Sequence, residues 1–266
     1  MIMPELLRPL RLRTPTPTGR ADRLDALRGF AVVWMAVFHF CYDLNHFRLL
    51  SPRQFFLSDP FWTGQRTAIV SLFLVCAGVG QAMALTAGLT WPRFWRRWAQ
   101  IATCALLVSL GSAWMFPGSW ISFGVLHGMA VMLLITRSLL PNLIQRGDAW
   151  AWLLLGSALC IAAPRLWSST WLDTRWGNWT GLVTRLPRTE DYVPVLPWLG
   201  VMGLGVALGL LMLQHRPQWL SGPLPRFGRV LLGPLAVLGR WSLSFYMLHQ
   251  PVFIGGILAW LHFFGR

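Results

Sequence analysis

Apolar residues in this chain come in long unbroken runs, not in the short alternating or one-sided patterns of soluble elements. The runs are Ala26–Phe47, Thr67–Thr86, Trp98–Phe116, Ile121–Leu140, Ala149–Trp167, Val193–Leu213 and Trp241–Phe264. Each is close to the roughly 20 residues that carry an α-helix across the hydrocarbon core of a bilayer. Lipid offers no water to backbone N–H and C=O groups, so segments of this length must satisfy them internally, as helices. The pattern predicts an all-α polytopic membrane protein with about seven transmembrane helices. A further stretch, Phe227–Gly239, is shorter, is broken by Gly233 and Pro234, and reads as an interfacial piece. Residues 1–25 are polar and rich in Pro, Thr and Arg, without the apolar core of a signal peptide, and read as a cytosolic arm. Residues 26–266 then form the membrane domain.

Composition removes most other classes. Of 266 residues, 55% are hydrophobic and 12% charged, and the mean hydropathy is +0.51; a soluble domain carries about 25% charged residues. The 23 basic residues, all arginine, outnumber 9 acidic ones and leave a net charge of +14. A soluble nucleic-acid-binding protein of that charge would be rich in polar residues and would lack long apolar runs, so that class is excluded. Disordered, collagen-like, coiled-coil and disulfide-scaffold chains are excluded on the same composition. The arginines set an orientation instead. With the N-terminus cytosolic, 15 of the 23 fall in cytosolic segments, among them Arg28, Arg93, Arg96, Arg97, Arg137 and Arg240. That is a positive-inside bias. Tryptophans gather at run ends, as in an interfacial aromatic belt: Trp91, Trp95 and Trp98, then Trp167, Trp171, Trp176 and Trp179. Cys41, Cys76, Cys104 and Cys160 fall in separate runs with no Cys-x-x-Cys pair, so no metal site or redox motif is expected.

Ionisable groups inside a span are costly and mark function. The first run holds several. Arg28 to His39 is eleven residues, about 20° past three full turns, with His39 about 16 Å further along the helix. Asp43 lies about 40° beyond His39, at the i+4 spacing that lets a carboxylate reach an imidazole. A histidine so oriented can act as a general base, and an arginine fork suits phosphate oxygens. An elongated ligand with phosphates at one end and a reactive group in the membrane fits that face, and a coenzyme A thioester has this shape.

The string Leu24-Asp25-Ala26-Leu27-Arg28-Gly29-Phe30, running on to Phe38-His39-Phe40 and Tyr42-Asp43-Leu44-Asn45, resembles the first helix of the bacterial heparan-alpha-glucosaminide N-acetyltransferase catalytic-domain family, within the transmembrane acyltransferase superfamily. Ser71–Leu74, Trp120–His127, Asp191–Gly200, Leu238–Leu243 and Tyr246–Pro251 resemble the family in the same order, so the likeness extends from about Arg23 to the C-terminus. The resemblance implies transfer of an acyl group, acetyl first, from cytosolic acetyl-CoA to an amino or hydroxyl group of an envelope sugar or glycan on the far side of a bacterial inner membrane. It makes His39 the catalytic base or acyl carrier, oriented by Asp43. Arg28 and Arg240 become candidates for the coenzyme's phosphates, and His249 and Gln250, before the helix-kinking Pro251, for its pantetheine arm. His127, Asp191 and Trp198 are the acceptor-site candidates. No nucleic-acid partner is implied, and a homo-oligomer is compatible with the chain. The competing class is a proton-coupled transporter or flippase, with His39 and Asp43 as a proton relay; the lack of a visible internal repeat counts against it.

Overall fold

A computed structural model describes residues 21–145, 148–221 and 226–264. Among them the fold is all-helical. The helices are α1 (Asp22–His46), α2 (Pro60–Thr86), α3 (Trp91–Met115), α4 (Val125–Ile144), α5 (Ala149–Leu166), α6 (Val195–His215), α7 (Pro217–Ser221), α8 (Arg226–Arg240) and α9 (Ser242–Phe264), with two 3-10 turns at Thr170–Leu172 and Asn178–Thr180. Seven of these, α1 to α6 and α9, are long and apolar enough to cross a membrane. Five of the fifteen arginines assigned to cytosolic segments, Arg8, Arg11, Arg13, Arg20 and Arg146, lie outside the described residues, as does most of the expected N-terminal arm.

Helices α1 and α3 begin before their apolar runs. α1 starts at Asp22, with Asp22 and Asp25 in its first turn, where carboxylates favour the positive end of the helix dipole. α3 starts at Trp91, with Pro92 in its first turn; proline has no N–H to leave unsatisfied there and its φ is already helical. α4 starts later than its apolar run, at Val125. The Val125 N–H donates to Asp191 Oδ2 at 2.7 Å and the Gly124 N–H to His127 Nδ1 at 3.2 Å, which fixes the helix start.

The chain divides into two compact units, and α2 contributes its first part, up to Phe73, to one and the remainder to the other. The first unit contains α1, α8 and α9. Here α8 lies antiparallel on α1 with backbone against backbone: a Cβ at Gly29 would fall on the Leu235 carbonyl, and one at Gly239 on the Asp25 carbonyl. Ala26 and Ala236 are buried between the two helices. Thus the stretch expected to be interfacial is a helix of 15 residues, tolerating Pro234 and too short to count as a span. Further along α1, Met35 and Phe38 pack with Phe56 and Ile69 in an aromatic-rich core that includes Trp62, Phe245 and Tyr246.

The second unit contains α3 to α6 and α7 up to Leu220. Glycines again set the closest approaches. Gly205 meets Val75 and Gly209 meets Val79 and Ala82 across α2 and α6, while Gly200 meets the Ser157 carbonyl across α5 and α6. Small residues let backbones approach where lipid provides no hydrophobic drive for association. Met132, Met202, Val206 and Leu213 are fully buried. All four cysteines are free thiols.

Candidate functional site

Six of the nine residues singled out in the sequence lie in the first unit: Arg28, His39, Asp43, Arg240, His249 and Gln250. α1 and α9 bring four of them into one polar cluster. The imidazoles of His39 and His249 lie edge to face, with ring centroids 5.1 Å apart. Asp43 is 4% exposed and His249 5%, and Gln250 Nε2 is 3.5 Å from Asp43 Oδ1, a long contact. The i,i+4 pairing expected between His39 and Asp43 is not made. The carboxylate turns to Gln250, and the neighbour of His39 is His249.

Aromatic rings wall the cluster. Phe245 stacks on His249 with ring planes 9° apart, Phe253 and Tyr246 flank the same imidazole, and Phe38 meets the edge of His39. One tautomer follows from the geometry. His249 Nδ1 is 2.7 Å from the Tyr246 carbonyl oxygen, which can only accept, so Nδ1 carries the proton. In neutral His249 the lone pair is therefore on Nε2.

That lone pair has no partner. Four buried atoms of the cluster, His39 Nδ1, Asp43 Oδ2, His249 Nε2 and Gln250 Oε1, lack a hydrogen-bond partner among the described residues. Buried polar atoms are almost always paired, and each one left open costs about 1–3 kcal/mol. Four such openings on α1 and α9, both long and apolar enough to span a membrane, leave hydrogen-bonding capacity without a protein partner.

Arg28 and Arg240 meet near the start of α1. Arg28 Nη1 pairs with Asp25 Oδ1 at 3.1 Å; Arg240 pairs with Asp22 Oδ1 at 3.1 Å and reaches Asp25 Oδ2 at 3.8 Å. Their side chains are 30% and 34% exposed, so both forks remain reachable. Partly exposed ion pairs of this kind are worth about 0–1 kcal/mol, which a stronger anion overcomes.

His127, Asp191 and Trp198 belong to the second unit. Both His127 nitrogens are engaged. Nδ1 accepts the Gly124 N–H, so Nε2 carries the proton towards Ser109 Oγ at 3.1 Å, and that hydroxyl donates to the Ile121 carbonyl at 2.6 Å. Asp191 Oδ2 accepts from the first turn of α4. Trp198 lies half-buried in the first turn of α6. In the loop before it, Asp173 accepts from the Thr184 hydroxyl at 2.6 Å, which holds its carboxyl below the usual range. Tyr192 donates to the Asn178 carbonyl at 2.7 Å, and burial, with the Asp173 charge, pushes its hydroxyl up to about 12. Among the described residues no group of three or more His, Cys, Asp or Glu is arranged to hold a metal.

Sequence reasoning missed the partnership of α1 with α9 and the aromatic walls. Tyr246, His249 and Phe253 do share a helical i, i+3, i+7 spacing, and that spacing was the one available signal. A family model described as heparan-alpha-glucosaminide N-acetyltransferase, catalytic, matches residues 20–251. No curated protein and no solved structure matches the chain.

Proposed function

The chain belongs to the heparan-alpha-glucosaminide N-acetyltransferase catalytic family of membrane acyltransferases, and from that membership we propose that it transfers an acetyl group from cytosolic acetyl-CoA to an amino or hydroxyl group of a sugar on the opposite side of a bacterial inner membrane. The observation that carries this reading is the set of four buried hydrogen-bonding atoms on α1 and α9 that lack a partner. A reacting ligand supplies what those atoms lack.

The roles follow from the chemistry of each group. His249, its Nδ1–H held by the Tyr246 carbonyl, offers Nε2 as a base. His39 stands beside it as the second imidazole at the reacting centre. The acceptor's nitrogen or oxygen attacks the thioester carbonyl, a C–N or C–O bond forms and the C–S bond breaks. The proton lost by the acceptor passes to imidazole and then to the departing thiolate, so charge and atoms balance. Asp43 and Gln250 orient the substrates through Oδ2 and Oε1. Arg28 and Arg240 exchange their partly exposed aspartate contacts for the phosphates of the coenzyme. No role in the transfer is assigned to His127 or Asp191, whose hydrogen bonds start α4. Trp198 is left as the acceptor-stacking residue, its aromatic face suited to a sugar ring.

The test is acetyl transfer by the purified protein in nanodiscs with radiolabelled acetyl-CoA and a panel of amino sugars. Turnover that falls at least 100-fold in His39→Ala and in His249→Ala, with coenzyme binding weakened in Arg28→Ala, is the expected result. Absence of coenzyme binding by the wild type sinks the proposal. So does proton-coupled uptake into proteoliposomes that proceeds without coenzyme.

A further inference from the structure

Arg137, near the end of α4, is the one buried arginine among the described residues, with 5% exposure. Its Nη2 donates to the Leu89 carbonyl in the turn between α2 and α3. Nε and Nη1 are buried and have no hydrogen-bond partner among the described residues. No carboxylate pairs with it: the ion pairs among the described residues involve other arginines. The guanidinium carbon lies 5.2 Å from the Trp91 ring centroid and 5.9 Å from that of Phe94. Both rings stand in the first turn of α3, so the cation sits against a helix N-terminus.

The charged side chains of the first two turns of α3, like Arg137 itself, are all positive. First-turn N–H groups have no intrahelical acceptor, and the helix dipole adds a partial positive charge. No acidic residue lies in the first turn of α3, whereas Arg93, Arg96 and Arg97 are exposed along its first two turns. Burying a cation is expensive unless it is paired. One carbonyl and two ring faces offset part of that cost and leave two donors unused.

We propose that Arg137 is the buried anchor of a phosphate-binding site at the start of α3. A guanidinium fork matches two phosphate oxygens, and a helix N-terminus is a ready anion site. On this proposal a phosphate reaches the fork by displacing the Trp91 ring, which is 43% exposed and lies 5.2 Å from the guanidinium carbon. The same chemistry has two sources: the headgroup of an anionic phospholipid, or a soluble phosphate compound. This site is independent of the roles assigned to His39 and His249.

The test titrates the thermal unfolding midpoint of the delipidated full-length protein at constant ionic strength with two probes. These are short-chain phosphatidylglycerol against phosphatidylcholine, and inorganic phosphate against chloride. A saturable rise with phosphatidylglycerol alone identifies the lipid source, and one with phosphate the soluble source. Arg137→Met abolishes the response. Arg137→Lys, which keeps a point charge without the fork, weakens it about tenfold. Replacing Arg93, Arg96 and Arg97 together by Gln weakens it less than Arg137→Lys does. The proposal falls if the wild type shows no saturable response to any probe, or if Arg137→Met keeps it. Should Arg137→Met not be recovered folded, unchanged affinity in Arg137→Lys overturns it equally.

Discussion

Replacing His249 by methionine separates the chemistry of the α1–α9 polar cluster from its packing. Methionine has nearly the volume of histidine and can fill the space between Phe245, Tyr246 and Phe253, so the change removes two nitrogens and little else. On the stability side, the bond from Nδ1 to the Tyr246 carbonyl is lost, at a net cost of about 0.5–1.5 kcal/mol. Against that, the unpartnered Nε2 disappears, and with it a penalty of about 1–3 kcal/mol. The balance is a protein as stable as the wild type or more stable by about 1 kcal/mol. On the rate side, a general base contributes about 10²–10⁴-fold, equivalent to about 2.7–5.4 kcal/mol of barrier. Activity and stability therefore move in opposite directions. Radiolabelled acetyl transfer and thermal unfolding on the same nanodisc preparation read both. Transfer within about threefold of wild type removes His249 from the chemistry. A loss of activity accompanied by more than about 3 kcal/mol of lost stability makes it a packing residue instead.

Other substitutions test other parts of the fold. Gly239→Ala drives a Cβ into the Asp25 carbonyl and should cost about 1–3 kcal/mol of stability in thermal or denaturant unfolding. Gly111→Ala, inside α3 with open space around it, should instead stabilise by about 0.5–1 kcal/mol. Tyr192 keeps its proton up to about pH 12 in the fold against an ordinary value of 10. Its contribution to stability is therefore complete below pH 10 and lost as pH rises through 12. Unfolding measured from pH 9 upward should show that decline in the wild type and a flatter curve in Tyr192→Phe; equal slopes refute it. Asp191→Ala removes the acceptor for the Val125 N–H and should cost about 1 kcal/mol, read as a lower unfolding midpoint.

The spans were legible because apolar length is a one-dimensional signal: the seven runs correspond to α1 to α6 and α9. Helix ends were less so, since Trp91 to Arg97 are polar or interfacial and yet helical. α8 escaped because its stability depends on another helix. Gly233 and Pro234 look like breakers in isolation, but Gly239, together with Gly29 of α1, allows a backbone contact that no local pattern announces. In the candidate site, the shared face of Arg28, His39 and Asp43 could be computed from helical pitch. Which side chain each would meet could not. Spacing permitted a His39–Asp43 pair, whereas the fold offers His39 a second imidazole and Asp43 an amide, both from a helix about 200 residues away. His127 shows the converse: an intramembrane histidine that looked like chemistry spends both nitrogens on Gly124 and Ser109. Arg137 entered the sequence reading only as a topological charge, because nothing in the chain order reveals that it lacks a carboxylate.

The backbone contact between α1 and α8 has a mechanical meaning. Two contacts one turn apart on α1, at Asp25 and Gly29, prevent α8 from sliding or rolling on it, and they tie Arg240 to the same stretch as Arg28. The interval from Arg28 to His39 is then a fixed length of unbroken helix, about 16 Å, with no hinge to shorten it. Such an arrangement measures a ligand. On the proposed assignment, a donor whose phosphates and thioester are joined by a shorter arm would reach one end or the other but not both. Chain length between those two groups would therefore select the donor before any chemistry begins.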